Sequence, residues 1–266
     1  MKKGRFTKIM DKVTWIFCIG GILLICVSIY PGMKEFIDYK KQVAFYNELV
    51  QNHEEVRATG STDSKLLANT PMPTLTLSEA PSVLAHIVPL LESNEETVGW
   101  ITITNTPINY PLVQHTDNQY YLNHNSVNEP SAYGGIYVDY RNDKGLIDRN
   151  TLIYGHNMNN GTMFHELVKY KERDFFEQHP YIYVSNLYET FTYEIFSIYV
   201  VDADVETVEV TYESDETFLN YIQSCQARSI WPKSIDLEPT DQIITLVTCS
   251  YETDNARTLI QAKLIK

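Results

Sequence analysis

Three residues whose types could do covalent chemistry stand where strand-like runs meet polar turns. Cys249 closes the apolar run "QIITLVTC", and Arg257 follows it by eight residues, after the polar "SYETDNA". An antiparallel hairpin would bring that guanidinium beside the thiol. His156 ends a second apolar run, "NTLIYGH", and leads into the polar "NMNNG". A thiol is a weak nucleophile until it ionises, with a pKa of about 8.5 when free. Activation needs an imidazole or a cation nearby and a donor for the oxyanion that forms on attack. Cys249, His156 and Arg257 together supply those parts. Each alone has a plainer reading, as a small packed hydrophobe, a core histidine and a surface charge. His53, His86, His115, His124, His165 and His179 all compete with His156. No CxxC or HExxH pair and no Gly-rich phosphate loop is present, so no metal or other cofactor is expected.

Such residues need a scaffold, and the sequence supplies short strands from Val98 onward. Eight runs are rich in β-branched and aromatic residues and bounded by Gly, Pro, Asn or Asp: "VGWITI", "INYPLVQ", "GGIYVDY", "NTLIYGH", "YIYVSN", "TFTYEIFSIYVV", "QIITLVTC" and "TLIQAKLI". Helical insertions are expected at "SVLAHIVPLLESN", "DNQYYLNHN", "TMFHELVKYKERDFFEQH" and "ESDETFLNYIQSCQARS". This pattern implies a mostly-β barrel or closed sandwich with helical decoration.

The chain carries 21 Lys and Arg against 34 Asp and Glu. Five of the basic residues and one acidic residue fall within the first twelve, leaving 16 against 33 in the remainder. A body that acidic lacks the basic face that binding nucleic acid requires, so no nucleic-acid partner is expected. After the basic start, "VTWIFCIGGILLICVSIY" (13–30) contains no charged side chain. Its length approaches the ~20 apolar residues that cross a bilayer. No small-x-small cleavage site follows, so an uncleaved signal anchor over 13–32 is expected. Basic residues ahead of the span keep residues 1–12 in the cytoplasm and place the rest outside the cell. Residues 33–57 read as a helical stalk, and the Ser, Thr and Pro of 58–81 as a linker, which leaves 82–266 as the main domain. Cys18 and Cys26 fall within the span as apolar filler. Among the other two cysteines, a Cys225–Cys249 disulfide is the alternative to a free thiol.

The motifs also carry a resemblance. "TLVTC" followed by "SYETDNAR" resembles the signature of the sortases, in which a strand ending in TLxTC presents the nucleophile and an arginine opens the next strand. "LIYGHNM" is similar to the family's histidine motif, and "VGWITI…INYPLVQHTDNQYYLNHN" and "GGIYVDYRN" also match. The resemblance spans about residues 82–266. The long helical segment before the cysteine strand points to class B. The resemblance implies an eight-stranded sortase-type barrel and a cysteine transpeptidase without cofactors. Its substrates would be secreted proteins with a C-terminal sorting signal, cleaved after threonine. The acceptor would be a cell-wall precursor amine or, in a pilin polymerase, a subunit lysine. Cys249 would form the thioacyl enzyme, His156 would shuttle the proton, and Arg257 with the Ser250 amide would hold the oxyanion. Asn118, Leu122 and Tyr154 align with substrate-groove positions.

One departure accompanies the match: no acidic partner for His156 is visible, which predicts a slow enzyme. A plain cysteine protease shares Cys and His, but Arg257 and the membrane anchor argue against it. A non-enzymatic surface adhesin would leave Cys249, His156 and Arg257 at strand ends unexplained.

Overall fold

The computed structural model describes residues 82–204 and 208–265, together with 30, 33–34, 36–38 and 40–55. The chain divides into two units, Met1–Leu49 and Val50–Lys266. The described residues of the first are helical, and helix α1 covers 40–55. The expected membrane span at 13–32 lies outside the described residues, as does the linker over 58–81. Among the described residues no helix is long and apolar enough to cross a membrane.

The second unit is built on a closed eight-stranded barrel. Helix α2 (Val88–Ser93) precedes strands β1 (Thr97–Thr102), β2 (Asn109–Val113), β3 (Ile136–Val138) and β4 (Asn150–Tyr154). A 3-10 segment (His165–Lys171) and helix α3 (Arg173–Gln178) lead into β5 (Tyr181–Ser185) and β6 (Thr190–Asp202). Helix α4 (Asp215–Arg228), β7 (Ile243–Cys249) and β8 (Ala256–Leu264) complete the chain. Strand order around the barrel is β1-β2-β3-β4-β7-β8-β6-β5. Closure leaves no strand edge open to another chain. The barrel alternative is therefore the one realised, and all eight sequence runs contribute a strand.

Two features of this order matter for chemistry. Strands β4 and β7 run parallel, with Tyr154 paired to Val247. Parallel neighbours need a long connection, and here it holds α3, β5, β6 and α4. Strands β7 and β8 form an antiparallel hairpin in which Cys249 pairs with Arg257.

Helix α4 anchors the outer face of this part of the barrel. Ser214 caps it by accepting a bond from the Thr217 amide at 3.1 Å. Phe218, Ile222 and Cys225 recur at helical spacing and are buried against Phe196, Tyr199, Val247 and Leu259. Each such large apolar side chain contributes roughly 1.5–3 kcal/mol on burial. Cys225 is a buried free thiol at 3.3 Å from the Tyr199 hydroxyl, and Cys249 is also free, so no bridge joins them.

Candidate active site

The register sets the site. His156 and Cys249 each lie two residues beyond the Tyr154–Val247 pair of two parallel strands, so both chains deliver them to the same end of the barrel. Parallel neighbours are ~4.8 Å apart. Directly opposed residues of an antiparallel pair share a face, which puts Arg257 beside Cys249. A cleft of about 250 Å³ results, lined by Asn118, Gln119, Leu122, Tyr137, Tyr154, Gly155, His156, Val247, Thr248, Cys249 and Arg257.

Hydrogen bonds fix the histidine. Its Nε2 lies 2.8 Å from the Leu122 carbonyl. A carbonyl only accepts, so Nε2 carries the hydrogen and Nδ1 is left to exchange a proton. The residue before it, Gly155, sits where a Cβ would meet the Phe164 ring at 2.8 Å, and its carbonyl accepts from the Thr248 hydroxyl at 2.8 Å. Thr248 adjoins Cys249, so one bond ties the histidine loop to the nucleophile's strand. Gly134, at φ +62°, lets the backbone pass the imidazole: a Cβ there would meet Cδ2 of His156 at 3.0 Å and the Tyr121 carbonyl at 2.5 Å.

Cys249 is half-buried. Its carbonyl accepts from Nδ2 of Asn157 at 3.0 Å, and Oδ1 of Asn157 is held by Nδ1 of His165 at 2.8 Å. Lys171 of the 3-10 segment pairs with Glu252 in the β7–β8 turn. Burial works against that carboxylate, but bonds led by Lys171 hold it below its ordinary range. Nη1 of Arg257 donates to the Ala256 carbonyl at 3.0 Å, which leaves the rest of the guanidinium fork for a ligand. Among the described residues no carboxylate pairs with Arg257. In a chain of net charge −13, a cation left unneutralised beside a thiol marks a site that receives an oxygen-rich ligand.

The groove wall is organised by Asp139, whose side chain is fully buried. It accepts from the Tyr154 hydroxyl at 2.9 Å, Nδ2 of Asn118 at 3.0 Å, and Nε and Nη2 of Arg141 at 2.8 Å each. Burial raises its pKa, but the Arg141 bonds, followed by those from Asn118 and Tyr154, hold the carboxyl below its usual range. Burial and the same carboxylate push the Tyr154 phenol up, so it stays a donor.

Six of the seven sequence-derived site residues therefore line one cleft: His156, Cys249, Arg257, Asn118, Leu122 and Tyr154. The seventh, Ser250, follows Cys249 in the hairpin turn, where its amide donates to the Ala256 carbonyl at 2.9 Å. The competing histidines have other tasks: His115 bonds Glu96 at 2.7 Å, His124 and His179 stack on Tyr120 and Phe175, and His53 stacks on Trp100 beside His86. Sequence reasoning missed Tyr137, Thr248, Asn157 and Asp139. All four stand inside quoted motifs, Tyr137 and Asp139 in "GGIYVDYRN", Asn157 in "LIYGHNM" and Thr248 in "TLVTC", but none was given a role there.

A sortase-domain family model matches residues 101–265. The chain belongs to the sortase family. It is 41% identical to the sortase B of Listeria monocytogenes over 179 residues, 66% of this chain and 72% of that protein. With the sortase B of Staphylococcus aureus it shares 31% identity over 187 residues, 68% of this chain and 77% of that protein. A sortase B structure from B. anthracis superposes with a TM-score of 0.72 at 33% identity, covering 86% of this chain and 97% of that one. The class B resemblance holds at the level of sequence and fold, and this sortase is a cysteine transpeptidase of that class.

Proposed function

We propose that this sortase is held in the cell membrane by residues 13–32, with residues 1–12 in the cytoplasm and the barrel outside. There it cleaves a C-terminal sorting signal after threonine and joins the new acyl end to a cell-wall amine. One observation carries the reading: Cys249, His156 and Arg257 line a single cleft although the first two are more than ninety residues apart. A structure of Staphylococcus aureus sortase B with a substrate, of TM-score 0.73 and 27% identity to this chain, supports the general mode of binding.

The chemistry follows from the groups present. The Cys249 thiol gives its proton to His156, and sulfur attacks the threonine carbonyl. The tetrahedral oxyanion is held by the unspent donors of Arg257. As the C–N bond breaks, His156 returns the proton to the leaving amine and a thioester remains. An incoming amine then attacks that thioester, loses a proton to His156, and releases Cys249. Asn118, Leu122 and Tyr154 form the groove wall that aligns the signal, with Asp139 holding the two polar members. Incubating the full chain with sorting-signal peptides and either a cell-wall-type amine or a pilin-type lysine peptide tests this. Mass analysis should find the amine-ligated product, absent with Cys249→Ala. Release of free acid alone in the presence of both amines contradicts transfer.

A further inference from the structure

The two ladders that meet at the site fix different distances. The β7–β8 ladder ends on the Cys249–Arg257 pair and sets the thiol against the guanidinium. The β4–β7 ladder stops short of the histidine, and its final bond runs from the Gly155 amide to the Val247 carbonyl at 3.2 Å. Beyond that bond, the gap from His156 to Cys249 is spanned by links from one segment, 155–171, to the nucleophile's strand and turn. Thr248 donates to the Gly155 carbonyl at 2.8 Å, and Asn157 to the Cys249 carbonyl at 3.0 Å. The outermost link is the ion pair of Lys171 with Glu252, three residues past the nucleophile.

That pair joins a packed element to an unpacked one. The 3-10 segment holding Lys171 buries Leu167 and Tyr170, and the Tyr170 carbonyl accepts from Nε1 of Trp231 at 3.0 Å. The turn holding Glu252 has every residue from 251 to 255 exposed, with Tyr251 at 72%. A segment with few buried apolar contacts takes its order from polar links. At the far end of this turn Nδ2 of Asn255 donates to Asp204 at 2.6 Å, and at the near end Lys171 holds Glu252. Burial raises the Glu252 carboxyl, but Lys171 and then Ser250 hold it below its ordinary range, so it is charged at neutral pH.

We propose that Lys171 and Glu252 are positioning residues for the reaction: their ion pair holds the β7–β8 turn against the segment that carries His156, and so sets the distance over which Cys249 gives up its proton. Neither residue lines the cleft. The proposal rests on the transpeptidase reading and adds to it a control on geometry from outside the cleft. A partly exposed pair is worth only ~0–1 kcal/mol of stability. A misplacement near 1 Å at a reacting centre can cost up to ~10²-fold in rate. The pair should therefore show itself in kcat far more than in the unfolding midpoint.

The test compares wild type, Lys171→Met, Glu252→Gln and the exchanged pair Lys171→Glu with Glu252→Lys, all in the full chain. Turnover of a sorting-signal peptide should fall about tenfold in kcat for each single variant. KM should stay within about twofold, because the loss falls on the chemical step. Midpoints should drop by no more than about 4 °C. The exchanged pair rebuilds the link with its charges reversed and should recover kcat to within about threefold of wild type. An unchanged kcat in either single variant overturns the proposal, as does a raised KM at unchanged kcat. Slow single variants that the exchange fails to rescue overturn it too, since the pairing would then not be what matters. Silence of the wild type toward all sorting-signal peptides would overturn the transpeptidase reading and this one together. Normal wild-type turnover with unaffected single variants overturns this one alone.

Discussion

Replacing Asp139 with asparagine keeps the side chain's shape and removes its charge. The carboxylate is fully buried and takes bonds from Arg141, Asn118 and Tyr154, all of which point donors at it. Asparagine offers one acceptor oxygen and turns an NH₂ toward some of those donors. Removing one partner of a buried ion pair costs about 3–5 kcal/mol. Arg141 is 30% exposed and can rehydrate, which puts the cost at the low end, ~3 kcal/mol. At about 2–4 °C per kcal/mol for a domain of this size, the midpoint should fall by roughly 6–12 °C. The sign of the pH dependence follows from the folded carboxyl lying below its ordinary value. Its stabilisation is complete above the unfolded aspartate pKa of about 3.9 and is lost as pH falls through the folded value. The gap between wild type and Asp139→Asn should therefore be steady from neutral pH to about pH 5 and narrow in stronger acid. Thermal unfolding followed by circular dichroism at several pH values measures it. With Asn118 and Tyr154 released, KM for the peptide should also rise. Equal midpoints at neutral pH, or a gap that widens in acid, would refute the claim that Asp139 holds the groove wall as a charged acceptor.

Arg257→Lys keeps the charge and loses the planar fork, so peptide turnover should drop ~10²–10³-fold while the protein stays folded and Cys249 still alkylates. Near-normal transfer by that variant would reduce Arg257 to a point charge. Asn157→Ala removes the donor to the Cys249 carbonyl and should lower kcat about tenfold with KM little changed, since a misplacement near 1 Å can cost up to ~10²-fold. Unchanged kcat would show that the bond only decorates the turn. Cys225→Ala should lose roughly 1–2 kcal/mol from the core beside Tyr199 and α4 yet retain turnover, as read by unfolding and peptide assay. Loss of turnover in a folded Cys225→Ala would assign that thiol a functional part.

The eight strands were legible because a closed barrel with helical cover buries whole runs of β-branched and aromatic residues, and β1, β4 and β7 are buried along almost their full length. The Cys249–Arg257 contact was legible because a hairpin is local. The His156–Cys249 meeting was expected from two strand ends and the sortase resemblance, but the parallel β4–β7 pairing that produces it, across a long crossover, is announced by no local pattern. Insertions were placed well and typed less well. The run over 162–179 splits at Glu172, whose extended backbone (ψ 125°) separates a 3-10 segment from α3. The helix expected over 82–94 is confined to Val88–Ser93, with Pro89 in its first turn. For Ser250, sequence shows which amide follows the nucleophile but not which carbonyl it meets in the turn, here that of Ala256. Asp139 reads as an ordinary residue at a strand end, and only its partners set it apart.

The most direct test of the central claim is intact-mass analysis of the full chain after brief exposure to a sorting-signal peptide, with and without an added amine. The account predicts an adduct on Cys249 equal in mass to the peptide up to and including its threonine, discharged onto the amine as a new amide and missing in Cys249→Ala. An adduct on Cys225, or cleavage that yields only the free acid however much amine is present, would contradict it.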